Sequence, residues 1–276
     1  MTEVPTVTLA NGARMPALGL GTWPMNDAEA ETAVAAAVRA GYRLFDTAEA
    51  YGNERGVGRG IRASGVDRDE VFVTTKFNRR WHGYEEAQQA FANGAERLGL
   101  ERIDLLLIHW PVPRQARYVD AWRGMAKLLE DGKVRAIGVS NFTPAHIERL
   151  LDETGIVPHV NQVQLDPRIP KAEERSFHGS HGIVTESWSP IGRGGDLLDE
   201  PVVDDVARAH GKTPAQVVLR WHLELGVVPI PKTSTPRRLE ENIDVFDFSL
   251  TPEDVDRMVA LDRHGRGAVD PDRYGH

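Results

Sequence analysis

Apolar and polar positions along this chain are grouped in blocks. Short apolar runs lie at Leu18 to Thr22, Leu44 to Ala48, Val71 to Phe77, Leu105 to Trp110, Ala136 to Asn141, Val160 to Gln164, Val184 to Ser189 and Val227 to Thr233. Runs of this length without strict alternation predict strands buried on both faces. Between them lie stretches with apolar residues at helical spacing, such as Glu29 to Arg39, Glu85 to Leu98, Tyr118 to Leu129, Pro144 to Leu151 and Pro214 to Leu225. In front, Thr6 to Leu9 and Arg14 to Pro16 flank the turn pair Asn11 and Gly12. That pattern predicts a β-hairpin, added as a lid and not as a repeat unit.

Eight strand-then-helix units in 276 residues imply an α/β fold, the (β/α)8 TIM barrel, as a single domain over residues 1–276. The alternative is a doubly wound sheet, which needs a Gly-rich phosphate turn after its first strand. Gly19, Leu20, Gly21, Thr22, Trp23, Pro24 lacks the third glycine and carries proline where the helix should begin. A second set, Gly52, Gly56, Gly58 and Gly60, is wrongly spaced for that motif and reads as a mobile loop or a helix start. The polar tail from Arg263 to His276 reads as a frayed end or a loop over the barrel mouth.

Composition excludes several classes. The chain has no cysteine, which removes disulfides, thiolate metal sites and a Cys nucleophile. With 41 Asp plus Glu against 33 Lys plus Arg, the net charge of -8 opposes general nucleic-acid binding. No apolar run approaches the length that spans a bilayer, and the start MTEVPTVTLANG lacks the pattern of a signal peptide. The expectation is a cytoplasmic protein with no membrane partner.

Chemistry in such a barrel belongs at the C-terminal ends of the strands. Asp46 lies in the second run, Lys76 near the end of the third and His109 near the end of the fourth, with Tyr51 five residues past Asp46. A charge on a buried strand needs a partner, so Asp46 and Lys76 are expected to pair. An ammonium near a phenol lowers its pKa, so Lys76 is expected to activate Tyr51 as a proton donor, with His109 holding a substrate oxygen. Such a set protonates a developing alkoxide. With no cysteine and no obvious metal site, the electrons point to a bound hydride carrier.

These residues resemble the aldo-keto reductase superfamily. The run DTAEAYGNE (Asp46 to Glu54), the strand end Thr75 and Lys76, the triplet His109, Trp110, Pro111 and the segment GVSNF (Gly138 to Phe142) are similar to that family's signatures, in its order. The resemblance extends from about residue 6 to about 262. Within it KTPAQVVLRWHLELG from Lys212 and RRLEENIDVFDF from Arg237 look like the bacterial 2,5-diketo-D-gluconate reductase branch.

The resemblance implies NADPH bound in extended form and reduction of aldehydes or ketones, with Asp46, Tyr51, Lys76 and His109 as the catalytic tetrad. A histidine at position 109 resembles the carbonyl reducers and not the double-bond reducers. By the same carry-over Ser140, Asn141 and Gln162 would hold the nicotinamide carboxamide, and Trp188 would stack on its ring. Lys232, Thr233, Arg238, Glu241 and Asn242 would form the pocket for the adenosine 2′-phosphate and adenine, near a helix N-terminus at Thr235, with Arg237 facing solvent. Trp23, Trp81 and Trp110 would line an apolar substrate pocket. The chain departs from the family at Gln164, Leu165, Asp166, Pro167, Arg168, where Asp166 stands in place of the usual His, and a polar helix over Lys171 to Gly182 follows. His178 and His181 within it read as surface-helix residues and not as metal ligands. Two other functions are compatible with the fold: an NADPH-binding sensory or structural subunit with little turnover, and a metal-dependent barrel hydrolase. The protein is expected to act as a monomer on a small carbonyl substrate.

Overall fold

The computed structural model describes residues 4–274; Met1 to Glu3 at the start, and Gly275 and His276 of the tail, lie outside the described residues. A two-stranded antiparallel hairpin, β1 (Thr6–Thr8) and β2 (Arg14–Pro16), precedes the main sheet. The eight strands of that sheet are β3 (Leu20–Gly21), β4 (Leu44–Asp46), β5 (Phe72–Phe77), β6 (Ile103–Ile108), β7 (Val134–Ser140), β8 (Val160–Gln164), β9 (Val184–Trp188) and β10 (Val228–Ile230), hydrogen-bonded in chain order. Every adjacent pair is parallel. The ring closes where Gly19 N donates to Pro229 O at 3.1 Å and Gly21 N to Pro231 O at 3.0 Å. Glycine is needed at this seam, because a Cβ on Gly19 would stand 2.6 Å from Leu44 Cγ. The first glycine pair therefore serves barrel closure and no phosphate turn.

The helices are α1 (Asp27–Ala40), α2 (Glu54–Ser64), α3 (Tyr84–Leu98), α4 (Tyr118–Glu130), α5 (Pro144–Thr154), α6 (Ala172–Ser180), α7 (Pro201–His210), α8 (Pro214–Glu224), α9 (Pro236–Ile243) and α10 (Pro252–Val259). Reciprocal capping boxes start several of them: Asn26 with Glu29, Thr143 with His146, Thr213 with Gln216 and Thr251 with Asp254. The last interval between strands is long because both α7 and α8 lie between β9 and β10. The second glycine set is no mobile loop. Gly56, Gly58 and Gly60 lie in α2, and a Cβ on Gly58 would stand 1.9 Å from Leu98 O, so this helix packs backbone to backbone on its neighbour.

The hairpin closes the barrel floor and not its mouth. Leu9 and Met15 pack inside the ring with Leu44, Phe72, Leu105 and Val160, residues at or near the starts of their strands. The tail covers the opposite end. Arg263 N donates to Arg168 O at 2.9 Å, Val269 N to Gln164 Oε1 at 2.8 Å, and the Tyr274 ring lies 5.4 Å from that of Trp110. Among the described residues no helix is long and apolar enough to cross a membrane.

Candidate active site

Asp46 ends β4, Lys76 is the penultimate residue of β5 and His109 follows β6 directly. All three are buried at the same end of adjacent strands. Lys76 Nζ donates to Asp46 Oδ1 at 2.6 Å and to the carbonyl of Thr47 at 3.0 Å. A single helical turn, Glu49–Tyr51, follows β4 and ends at Gly52, whose φ of 67° lets the chain reverse at once into α2. That turn brings half-buried Tyr51 back over the mouth. Lys76 Nζ lies 5.2 Å from the Tyr51 ring centroid, and the imidazole of His109 meets that ring edge-on at 5.8 Å.

The electrostatics differ in one respect from the sequence expectation. Burial raises the Tyr51 phenol pKa and outweighs the lowering by the charge and hydrogen bond of Lys76. Lys76 opposes this rise without reversing it, so Tyr51 stays protonated at neutral pH. Burial by itself would lower the Lys76 ammonium, but the charges of Asp46 and Tyr51 and the Asp46 hydrogen bond outweigh it and hold the pKa above the usual lysine value.

The amide-bearing residues sit on the next strands. Ser140 Oγ donates to Gln162 O at 2.9 Å, and Asn141 Nδ2 donates to His109 O at 3.1 Å and to Ser140 Oγ at 3.0 Å. Trp188 Nε1 donates to Asn141 Oδ1 at 2.8 Å, which fixes the indole, and the guanidinium of Arg193 lies 4.7 Å from the ring. Gln162 Nε2 reaches Asp46 Oδ2 at 2.8 Å, which ties this group to the Asp46–Lys76 pair.

The cations expected to meet phosphate lie after β10. Lys232 is exposed in the loop after β10, Arg237 and Arg238 are exposed in the first turn of α9, and among the described residues none of them has a carboxylate partner. Thr233 is buried and its hydroxyl accepts from Thr235 N at 3.1 Å. Cations beside the positive end of a helix suit a phosphate monoester. Asn242 is buried behind them, while Glu241 turns away and accepts from Thr213 Oγ1 at 2.7 Å.

Trp110 is buried between His109 and Tyr274, whereas Trp23 is half exposed and shares Arg193 with Trp188. Trp81 donates its indole N–H to both Glu49 oxygens at 3.0 Å, and Arg80 pairs with the same carboxylate. Burial raises the Glu49 carboxyl, but the hydrogen bonds from Trp81 and Arg80 outweigh it and hold the pKa below the usual range.

In the unusual segment Asp166 Oδ1 accepts from Arg168 N, and Arg168 pairs with Asp196 and Glu200, so it joins the loops after β8 and β9. His178 corrects the surface reading. It is the one buried residue of α6, with Nδ1 at 2.9 Å from Thr185 Oγ1 and Nε2 at 2.9 Å from Asn161 Nδ2. His181 caps the same helix and lies 2.8 Å from Phe177 O. No group of three or more His, Asp or Glu side chains among the described residues is arranged to hold a metal ion.

Glu186 was missed in the sequence. It is buried in β9 behind Gln162, with Gln162 Nε2 at 2.5 Å from its Oε2. The signal was available: it is a charged residue inside the apolar run Val184 to Ser189, the same irregularity that singled out Asp46 and Lys76.

Comparison with known proteins agrees with this arrangement. The profile of the aldo/keto reductase family matches residues 16–263. The chain is 49% identical over 274 residues to 2,5-diketo-D-gluconic acid reductase B of Corynebacterium sp. (strain SHS752001), covering 99% of both chains. It is 43% identical over 277 residues to methylglyoxal reductase DkgA of Escherichia coli O157:H7, covering 100% of both. The crystal structure of a Gox0644 mutant in complex with NADPH superimposes with a TM-score of 0.94 at 42% identity over 99% of each chain. With the family profile spanning most of the chain and a (β/α)8 barrel carrying its residues at one mouth, this protein belongs to the aldo/keto reductase family.

Proposed function

We propose that this protein reduces small aldehydes, dicarbonyls or keto sugars to alcohols with NADPH, one barrel domain carrying the whole reaction. The observation that carries this reading is the buried Lys76–Asp46 pair at 2.6 Å with Tyr51 and His109 beside it. NADPH, when bound, would supply the hydride for the carbonyl carbon. Tyr51 gives its phenolic proton to the carbonyl oxygen as negative charge grows there, a contribution typically worth about 10² to 10⁴ in rate. The phenolate left behind lies against the Lys76 ammonium, which Asp46 keeps charged and aimed. His109 orients the carbonyl oxygen from the other side, and Trp23, Trp81 and Trp110 enclose the substrate.

The cofactor fits the residues present. Ser140, Asn141 and Gln162 offer donors and acceptors to a carboxamide, Trp188 offers a ring face, and the unpaired Lys232 and Arg238 suit the 2′-phosphate that distinguishes NADPH from NADH. The substrate range draws on the relatives named for a diketo sugar acid and for methylglyoxal. The large hydrophobic side chains exposed among the described residues are Trp23, Tyr84 and Tyr274, which supports a monomer; a stable dimer in sedimentation velocity would overturn that point.

The deciding experiment measures NADPH consumption with a panel of these carbonyls, with Tyr51→Phe alongside. Turnover by the native protein, and its loss in the variant with NADPH binding kept, is expected. NADPH binding without turnover of any carbonyl would favour a sensory or structural subunit instead.

A further inference from the structure

Glu186 is fully buried inside the barrel, level with Gln162 on β8 and Val228 on β10. Gln162 Nε2 lies 2.5 Å from Glu186 Oε2 and 2.8 Å from Asp46 Oδ2. An amide nitrogen has two hydrogens, and here each has a carboxyl oxygen to meet. Turning the amide over would set its oxygen against the Asp46 carboxylate, which can only accept, and lose that bond. Two residues from two different strands thus decide which end of Gln162 is left to face a ligand, and that end is Oε1.

The local charge supports a specific state of Glu186. The charged groups facing it are Asp46 from β4 and Lys76 from β5, which already neutralise each other, while β8 and β10 bring the neutral Gln162 and Val228. Burial and the Asp46 charge push the Glu186 carboxyl up to about 8, against the opposing effects of the Gln162 hydrogen bond and Lys76. At neutral pH it is a neutral acid whose carbonyl oxygen accepts from Gln162. Its other oxygen, Oε1, is buried without a partner among the described residues. An unpaired buried polar group costs about 1–3 kcal/mol, which an apolar residue at this position would avoid. Such a residue could not orient Gln162.

We propose that Glu186 is a positioning residue for carbonyl reduction: with Asp46 it pins the amide of Gln162 so that Oε1 meets the nicotinamide carboxamide. The inference rests on the reading above in which Gln162 holds the nicotinamide. The carboxamide sets the angle of the ring, and so the distance from hydride to carbonyl. Misplacement on the order of 1 Å costs roughly 10²-fold in rate.

The test uses the full chain with Glu186→Leu, Glu186→Gln, Gln162→Ala and the double variant Gln162→Ala/Glu186→Leu. Glu186→Leu should lower kcat roughly 10- to 100-fold with the KM for the carbonyl substrate little changed. Glu186→Gln, which offers an amide oxygen in the same place, should restore most of that loss near pH 7. It should also remove the inflection in kcat expected between about pH 7 and 9 when the native carboxyl ionises. The double variant should be no slower than Gln162→Ala alone, because Glu186 acts through Gln162. Folded Glu186→Leu protein with native kcat and pH profile, or additive losses in the double variant, would overturn the proposal. Failure of the native protein to turn over any carbonyl with NADPH would remove the reading beneath it, and is distinguished by the native control.

Discussion

Lys76 Nζ stands 2.6 Å from Asp46 Oδ1, and both side chains are almost wholly buried at the barrel mouth. Removing one partner of such a pair strands the other charge, at a cost of about 3–5 kcal/mol. Asp46→Leu should therefore lower stability by about that amount, and adding Lys76→Met should recover most of it. Neither protein should turn over carbonyls. Urea denaturation of the three proteins checks this; a double variant no more stable than Asp46→Leu would show that packing, and not the charge, carries the loss.

Lys232, in the loop after β10, and Arg238, in the first turn of α9, are exposed without carboxylate partners among the described residues. Replacing either by alanine should raise the Kd for NADPH by roughly 10-fold or more, since a charge-assisted hydrogen bond contributes about 1.5–3 kcal/mol. Binding of NADH should change little. Fluorescence titration with both nucleotides reads the ratio, and equal losses for the two would place these cations away from the 2′-phosphate.

Burial holds His82, His178 and His222 at about 4, well below the free imidazole. A free histidine titrates near 6.5, so between about pH 6.5 and 4 the unfolded chain binds protons that the folded protein refuses. Stability is then fully present above about pH 6.5 and falls as the pH drops toward 4. Both ring nitrogens of His82 are buried without a partner among the described residues. His82→Leu should consequently be neutral or stabilising by about 1 kcal/mol near pH 7 and should decline less steeply in acid. Urea midpoints at about pH 7.5 and pH 5 give the slope, and a slope equal to that of the native protein would rule this out.

Gly58 packs so closely that a Cβ there would lie 1.9 Å from Leu98 O. An alanine in an exposed helix would gain about 1 kcal/mol over glycine, but here the clash decides the sign. Gly58→Ala should destabilise by roughly 1–3 kcal/mol, with backbone shifts between α2 and α3. A midpoint shift toward higher urea would contradict the close contact.

Much of this was legible in the chain itself. The runs at Val71 to Phe77 and Val160 to Gln164 fall on β5 and β8 nearly residue for residue, because a strand buried on both faces shows no regular polar alternation. The run at Leu18 to Thr22 shrinks to Leu20–Gly21, since at the closing seam the backbone bonds run to the carbonyls of Pro229 and Pro231, and proline has no N–H to return. Asp46 and Lys76 stood out as charges on apolar strands. Glu186 carries the same mark but lies in the middle of its strand, away from the C-terminal ends where chemistry is expected.

The sequence alone determined the strand-and-helix order, the closed parallel barrel and the pairing expected between Asp46 and Lys76, because hydrophobic period and the cost of a lone buried charge are local properties. Only the tertiary structure decided that the hairpin closes the floor, that the tail lies over the mouth, that His178 points inward and that burial outweighs Lys76 at Tyr51. Those outcomes depend on which distant residues surround a group and how much water they exclude, and such distances exist only once the ring has closed.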